Sequence, residues 1–128
     1  MKRLVAAVFL CGAIALMTGC SSPGTSAPTT AQSGEVQVVI KNMQYAPNNL
    51  VIKAGTRVTF VNQDTLTHDV TQSTPADVNK VKPSFTSGPI APGSSWSMVF
   101  DKPGTYPILC TQGAHYTAGM VATIKVTP

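Results

Sequence analysis

The sequence predicts an all-β protein, an antiparallel Greek-key β-sandwich of seven to eight short strands, and three observations carry that reading. From Glu35 onward apolar and polar residues alternate with period two, as half-buried strands require. Ten glycines and ten prolines break the alternation at short intervals, which suits a chain of many turns. No stretch carries the 3.6-residue apolar repeat of an amphipathic helix. At 128 residues the chain has room for one domain. A sandwich of about 94 residues has a sufficient core without disulfides.

The chain opens on a segment that stands outside the fold. Lys2 and Arg3 precede an apolar run, Leu4 to Met17, which is too short for a bilayer span of about 20 residues. Residues 1–19 are therefore expected to be an export signal. Its end, Met17-Thr18-Gly19-Cys20, resembles the bacterial lipobox, with Met where Leu is most common. In a lipobox the signal is cut before a cysteine whose sulfur and amino group receive acyl chains, so Cys20 is the expected lipidation site. Two or more acyl chains anchor stably, at about 0.8 kcal/mol per buried methylene. The expected location is thus outside the cytoplasm, lipid-anchored to the cell membrane or envelope. Ser21 to Gly34 is Ser, Thr, Pro, Gly and Ala with one Gln. Residues 20–34 are expected to form a lipidated cysteine and flexible tether of about 20 Å end to end, leaving 35–128 as the domain.

Within that domain, Val36, Val38 and Ile40 share one strand face, and Leu50 and Ile52 share another. Ala54-Gly55 makes a turn before Arg57 to Asn62, which points Val58 and Phe60 inward. A short strand is expected from His68 through Val70. Thr71 to Pro89 is polar, carries Pro75 and Pro83, and reads as a long loop with room for one helical turn. Trp96, Met98 and Phe100 alternate in the next strand, and Lys102-Pro103-Gly104 turns the chain into Tyr106 to Cys110. Pro107 places that strand at an interruption of the ladder or at an edge. Met120, Ala122, Ile124 and Val126 close the sheet.

Cysteine arithmetic then singles out one thiol. Cys11 leaves with the signal and Cys20 becomes a thioether, so Cys110 is the only unmodified cysteine in an oxidising setting. It heads the stretch Cys110-Thr111-Gln112-Gly113-Ala114-His115-Tyr116-Thr117-Ala118-Gly119-Met120. Taken singly, its notable residues have ordinary readings: a core cysteine, a hydrogen-bonded histidine, a core-filling methionine. Taken together, a thiol, an imidazole and a thioether on one loop are soft metal ligands, and copper uses all three in a trigonal His₂Cys site with a long axial Met. The loop lacks one imidazole. His68 is the only other histidine, so the reading requires His68 to fold back onto this loop.

At this point the chain resembles the cupredoxins, the plastocyanin and azurin family of small blue copper proteins, from Gln37 to Val126. Met43-Gln44-Tyr45-Ala46-Pro47, Ala54 to Asn62, His68-Asp69-Val70 and Cys110 to Met120 look like family motifs at family spacings. The resemblance implies that His68, Cys110 and His115 are equatorial ligands and Met120 the axial ligand of one copper ion, cycling between Cu(I) and Cu(II). Zinc could occupy the same ligands, but without redox activity. The Cys-x4-His-x4-Met spacing is longer between Cys and His than in plastocyanin and closer to the auracyanins, membrane-attached members of the family. The family also implies that Asp69, standing where Asn is common, hydrogen-bonds to Thr111 and pins the two ligand segments together. A buried Asp69 charge near the thiolate should favour Cu(II). His115 is expected nearest solvent, its ring edge emerging through Met43, Leu66, Gly113, Ala114, Ala118 and Gly119, a patch for docking redox proteins. Where plastocyanin has a tyrosine beside the copper cysteine, marking a second electron path, this chain has Leu109.

The expected function is a membrane-tethered, monomeric carrier of single electrons between extracytoplasmic redox partners. A second class uses the same ligands: a protein that stores, delivers or scavenges copper without electron transfer. An enzyme is not expected, because a multicopper cluster needs many histidines and a closed site leaves no open metal position for a substrate. Nucleic acid is not an expected partner either. The formal charge of +4 falls to +2 once Lys2 and Arg3 leave, with seven basic residues scattered against five acidic ones.

Overall fold

A computed structural model describes residues 31–128, so the expected signal, Cys20 and the tether up to residue 30 lie outside the described residues. Eight strands follow in order: β1 (Glu35–Lys41), β2 (Gln44–Ala46), β3 (Asn49–Lys53), β4 (Thr56–Asn62), β5 (Thr71–Gln72), β6 (Ser95–Phe100), β7 (Gly104–Leu109) and β8 (Val121–Thr127). They form two four-stranded sheets, ordered β2-β1-β4-β6 and β3-β8-β7-β5. Alternation decides which side chains go inside. β1 buries Val36, Val38 and Ile40, β4 buries Val58 and Phe60, and β8 buries Ala122, Ile124 and Val126. Leu50, Ile52, Phe100 and Ile108 complete the interior between the sheets. Phe60 is fully buried, with ring centroids 6.3 Å from Tyr45 and 5.9 Å from Trp96.

The expected sandwich is present, with two strand pairs running parallel. β1 pairs parallel to β4, and β3 parallel to β8, so the sheets are mixed rather than purely antiparallel. The cause is the crossing between sheets. After the β1–β2 hairpin the chain passes to the second sheet as β3, and Ala54-Gly55 returns it to the first as β4, now running alongside β1 in the same sense. Gly55 takes φ of 86°, a left-handed turn position that suits glycine. Period-two alternation fixes a strand's faces but not its direction.

Two boundaries also differ from expectation. The tether was expected to reach Gly34, yet Gln32 already pairs with β3: its N–H donates to the Val51 carbonyl at 3.2 Å and its carbonyl accepts from Lys53 at 2.8 Å. Main-chain pairing needs no apolar side chain, so composition could not reveal it. The strand expected over His68–Val70 is an isolated bridge between His68 and Ile90, with β5 starting at Thr71. The 71–89 stretch contains the helical turn, Val78 N–H donating to Thr74 and Val81 to Asp77, and then returns to pair Thr86 with Thr71. It also carries Phe85 into the aromatic cluster, 5.8 Å from Phe100 and 6.4 Å from Tyr106. Pro107 pairs with Thr123 on one side of β7, while on the other the two-residue β5 ladder stops at Ile108.

The topology gives the sandwich two poles. Asn62 of β4, Leu109 of β7 and Val121 of β8 mark one; Thr56, Gly104 and Thr127 mark the other. β8 runs seven residues between them, so the poles are roughly 20 Å apart. All eight strands and the buried core lie within residues 31–128, which therefore carry what the packing needs. Phe60→Ala should test that packing. It should lower the unfolding free energy of the metal-free protein by about 3–5 kcal/mol in a denaturant titration, and a loss below about 1 kcal/mol would show that the Tyr45–Phe60–Trp96 contact is not central.

Candidate metal centre

Two strand ends and one loop build the centre at the first pole. Cys110 follows β7, and Met120 precedes β8; the Cys110 N–H donates to the Met120 carbonyl at 3.2 Å, and the Met120 N–H to the His115 carbonyl at 3.3 Å. Between them a 3₁₀ segment, Gln112–Ala118, kinks at Gly113 and Ala114, whose φ angles are 52° and 56°. The Gly119 cap, at φ of 92°, closes it. His68 arrives from the other side, its backbone fixed by reciprocal hydrogen bonds with Ile90 at 3.1 and 2.7 Å. His68, Cys110 and Met120 are fully buried, and His115 is half-buried.

The ligand atoms converge. Cys110 Sγ lies 3.7 Å from His68 Nδ1 and 3.5 Å from His115 Nδ1, and the two nitrogens are 3.2 Å apart. Donors held about 2.0–2.3 Å from one ion, at tetrahedral to trigonal angles, lie roughly 3.3–3.8 Å from one another. The three atoms thus fit a shared cation. Burial pushes the Cys110 thiol up to about 11; hydrogen bonds from the Asp69 and Gln112 N–H groups pull it back, while the Asp69 carboxylate adds to the rise. At neutral pH the metal-free protein therefore carries a thiol, and a metal must displace its proton.

Neighbouring carboxylates set the geometry. Asp69 is buried, and its side chain accepts from the Thr111 N–H at 2.7 Å, from the Thr111 hydroxyl, and from Gln112 Nε2 at 3.2 Å. Its own N–H points at Cys110 Sγ, 3.4 Å away. Tyr45, a buried phenol pushed upward first by desolvation and then by Cys110 and Asp69, donates to the Asp69 carbonyl. Asp64 was not singled out in the sequence. Its Oδ2 lies 3.1 Å from His68 Nε2 and accepts the Met43 N–H at 2.9 Å. Those contacts, the Met43 N–H foremost, hold the Asp64 carboxyl below the usual carboxylate range. Because a carboxylate only accepts, Nε2 carries the His68 proton and Nδ1 presents a lone pair to the centre. Asn62, also buried, shapes this loop: it donates to the Leu66 and Ile90 carbonyls and accepts the Asp64 N–H at 2.9 Å. The only signal for Asp64 was its place four residues before His68, and loop spacing does not say which way a side chain turns.

Of the six residues expected around His115, Leu66, Gly113, Ala114, Ala118 and Gly119 are exposed, and Met43 is half-buried. Leu66 is 48% exposed, an apolar side chain left in water. A cleft of about 470 Å³ lies elsewhere, between Asn48, Ser73–Pro75 and the β7–β8 pair; no ionisable or metal-ligating side chain lines it.

Residues 32–127 match the copper binding proteins of the plastocyanin/azurin family. The chain belongs to that family. It is 38% identical over 107 residues to plastocyanin of Prochlorothrix hollandica, covering 80% of this chain and 79% of that one. Amicyanin-alpha of Methylorubrum extorquens is 33% identical over 82 residues, which span 63% of this chain and 66% of the relative. Among solved structures, a purple cupredoxin from Nitrosopumilus maritimus superposes with a TM-score of 0.60 at 28% identity, covering 72% of this chain and 99% of that one. Auracyanin from Roseiflexus castenholzii shares the fold, with a TM-score of 0.61 at 21% identity over 77% of this chain and all of that one. The chain is a cupredoxin, and His68, Cys110, His115 and Met120 form its candidate site for one copper ion.

Two substitutions test the carboxylates. Asp64→Ala should weaken Cu(II) binding about 10- to 100-fold in competition with a chelator, because it frees the His68 ring; unchanged affinity would remove Asp64 from the site. Asp69→Asn keeps an acceptor for the Thr111 N–H but deletes a negative charge beside the thiolate. Its reduction potential should rise in voltammetry, and a potential equal to that of the unmodified protein would contradict the electrostatic role.

Proposed function

We propose that this protein is a type 1 copper protein that carries single electrons outside the cytoplasm, held to a membrane through lipid on Cys20. The observation that carries this reading is the meeting of two imidazole nitrogens and one thiol sulfur within 4.8 Å, in a site closed except at one histidine. His68, Cys110, His115 and Met120 would hold the copper ion. Copper bound there supplies a one-electron Cu(II)/Cu(I) couple, which suits a carrier rather than an enzyme. Asp69 and Asp64 fix the cysteine and histidine segments before any metal arrives, so the donors need little rearrangement between oxidation states. The half-buried His115 ring is the route by which an electron would leave, and the exposed Ala114 and Ala118 of its loop support docking of redox proteins there by the monomeric domain.

The alternative, copper storage or delivery, uses the same donors but needs them to open. Cu(II) added to the metal-free protein should give intense visible thiolate-to-copper absorption, absent in Cys110→Ser. A reversible voltammetric couple with no copper lost to an acceptor chelator between cycles is expected of the carrier. A colourless stoichiometric complex would defeat the type 1 assignment, and ready copper release on reduction would favour delivery.

A further inference from the structure

The two poles of the sandwich differ in charge. At the pole away from the metal centre, Lys53 ends β3, Arg57 starts β4, Lys102 sits in the β6–β7 turn, and Lys125 stands opposite Thr105 near the start of β7. All four are exposed. Among the described residues the only side-chain ion pair is His68 with Asp64, so none of these cations is bridged to an acid. Glu35 and Asp101 are the acidic residues at that pole, which leaves cations in excess. The stretches around the centre, 42–48, 63–67, 88–94 and 111–120, contain no Lys or Arg, although Lys41 ends β1 at that pole.

The chain enters the fold at the same basic pole. Gln32 pairs beside Lys53, and the Gly34 carbonyl accepts the Arg57 N–H at 2.9 Å. Gln32 runs parallel to β3 opposite Ile52, so the chain comes along the β3 edge and residues 32–34 carry it past these cations into β1.

We propose that this basic pole docks on anionic phospholipid headgroups and holds the metal centre facing away from the membrane. The proposal rests on the tethered reading above. Each cation near an anionic bilayer strengthens binding about fivefold. Four cations against two acidic side chains is a weak excess for a free protein. The tether expected from the sequence would change that, since a coil of about 20 Å would keep the pole at an effective concentration in the millimolar range. The centre, roughly 20 Å away, then sits beyond the Debye length of about 8 Å, outside the negative surface potential and open to partners.

Lysine footprinting tests this without any substitution. Residues 20–128, loaded with copper, are coupled through the Cys20 thiol to maleimide lipid in vesicles; Cys110 is buried and spared. On vesicles containing phosphatidylglycerol, acetylation of Lys53, Lys102 and Lys125 should be about fivefold slower than on pure phosphatidylcholine. The difference should disappear at about 0.5 M salt, while Lys41, Lys80 and Lys82 react alike on both. Equal rates on both vesicles, or protection centred on Lys41, would overturn the proposal. The chemical coupling makes this result independent of natural lipidation, which the mass of the native N-terminal peptide decides.

Discussion

The carboxylate of Asp69 joins two parts of the chain that sequence keeps far apart. His68 and Cys110 are separated by 42 positions, yet their donor atoms lie 3.7 Å apart. A buried carboxylate is costly unless its oxygens are satisfied. Here the Thr111 N–H, the Thr111 hydroxyl and Gln112 Nε2 satisfy it, and all three belong to the residues just after the cysteine. The approach of the His68 segment to the Cys110 loop is therefore the arrangement in which Asp69 can be buried without an unpaired oxygen. The sheets supply the rest: β7 delivers Cys110, β8 carries Met120 back beside it, and the His68–Ile90 bridge fixes the third segment.

His115 obeys a different constraint. Its ring has no carboxylate behind it, and its loop turns through two successive left-handed residues, Gly113 and Ala114. A β-carbon built on Gly113 would lie 3.3 Å from His115 Nε2, at a φ that already disfavours side chains. Gly119 is needed in the same way at φ of 92°. Loop geometry thus favours glycine at 113 and 119, whereas the exposure of Leu66 and Ala118 owes nothing to backbone shape.

What could be read in advance follows from which forces leave a mark on sequence. Burial does, so Val36, Val38, Ile40, Val58, Phe60, Ile124 and Val126 were legible as core from alternation alone. Donor chemistry does too, since two histidines and one remaining cysteine admit few combinations, and the three gather within 4.8 Å. Main-chain pairing does not. Strand direction, the Gln32 bridge to β3 and the replacement of a His68–Val70 strand by a single bridge all rest on backbone hydrogen bonds that any side chain permits. Phe85 lay inside a polar, proline-bearing stretch, and only the return of that stretch across β5 brings it to Phe100 and Tyr106. Asp64 was hidden for a related reason: Asn62, not any periodicity, turns it toward His68.

Together the two carboxylates give the centre an electrical character that neither shows alone. Asp64 backs one imidazole, and Asp69 lies against the residues that follow the thiolate, each on a different side of the donor cluster. No lysine or arginine occurs in the surrounding loops to offset them, and the excess cations gather at the opposite pole. Negative charges in a poorly screened interior favour the more positive of two metal states. Asp69 is the buried member of the pair and Asp64 is only partly covered, so the charge of Asp69 would act on a metal ion at the centre with less screening than that of Asp64.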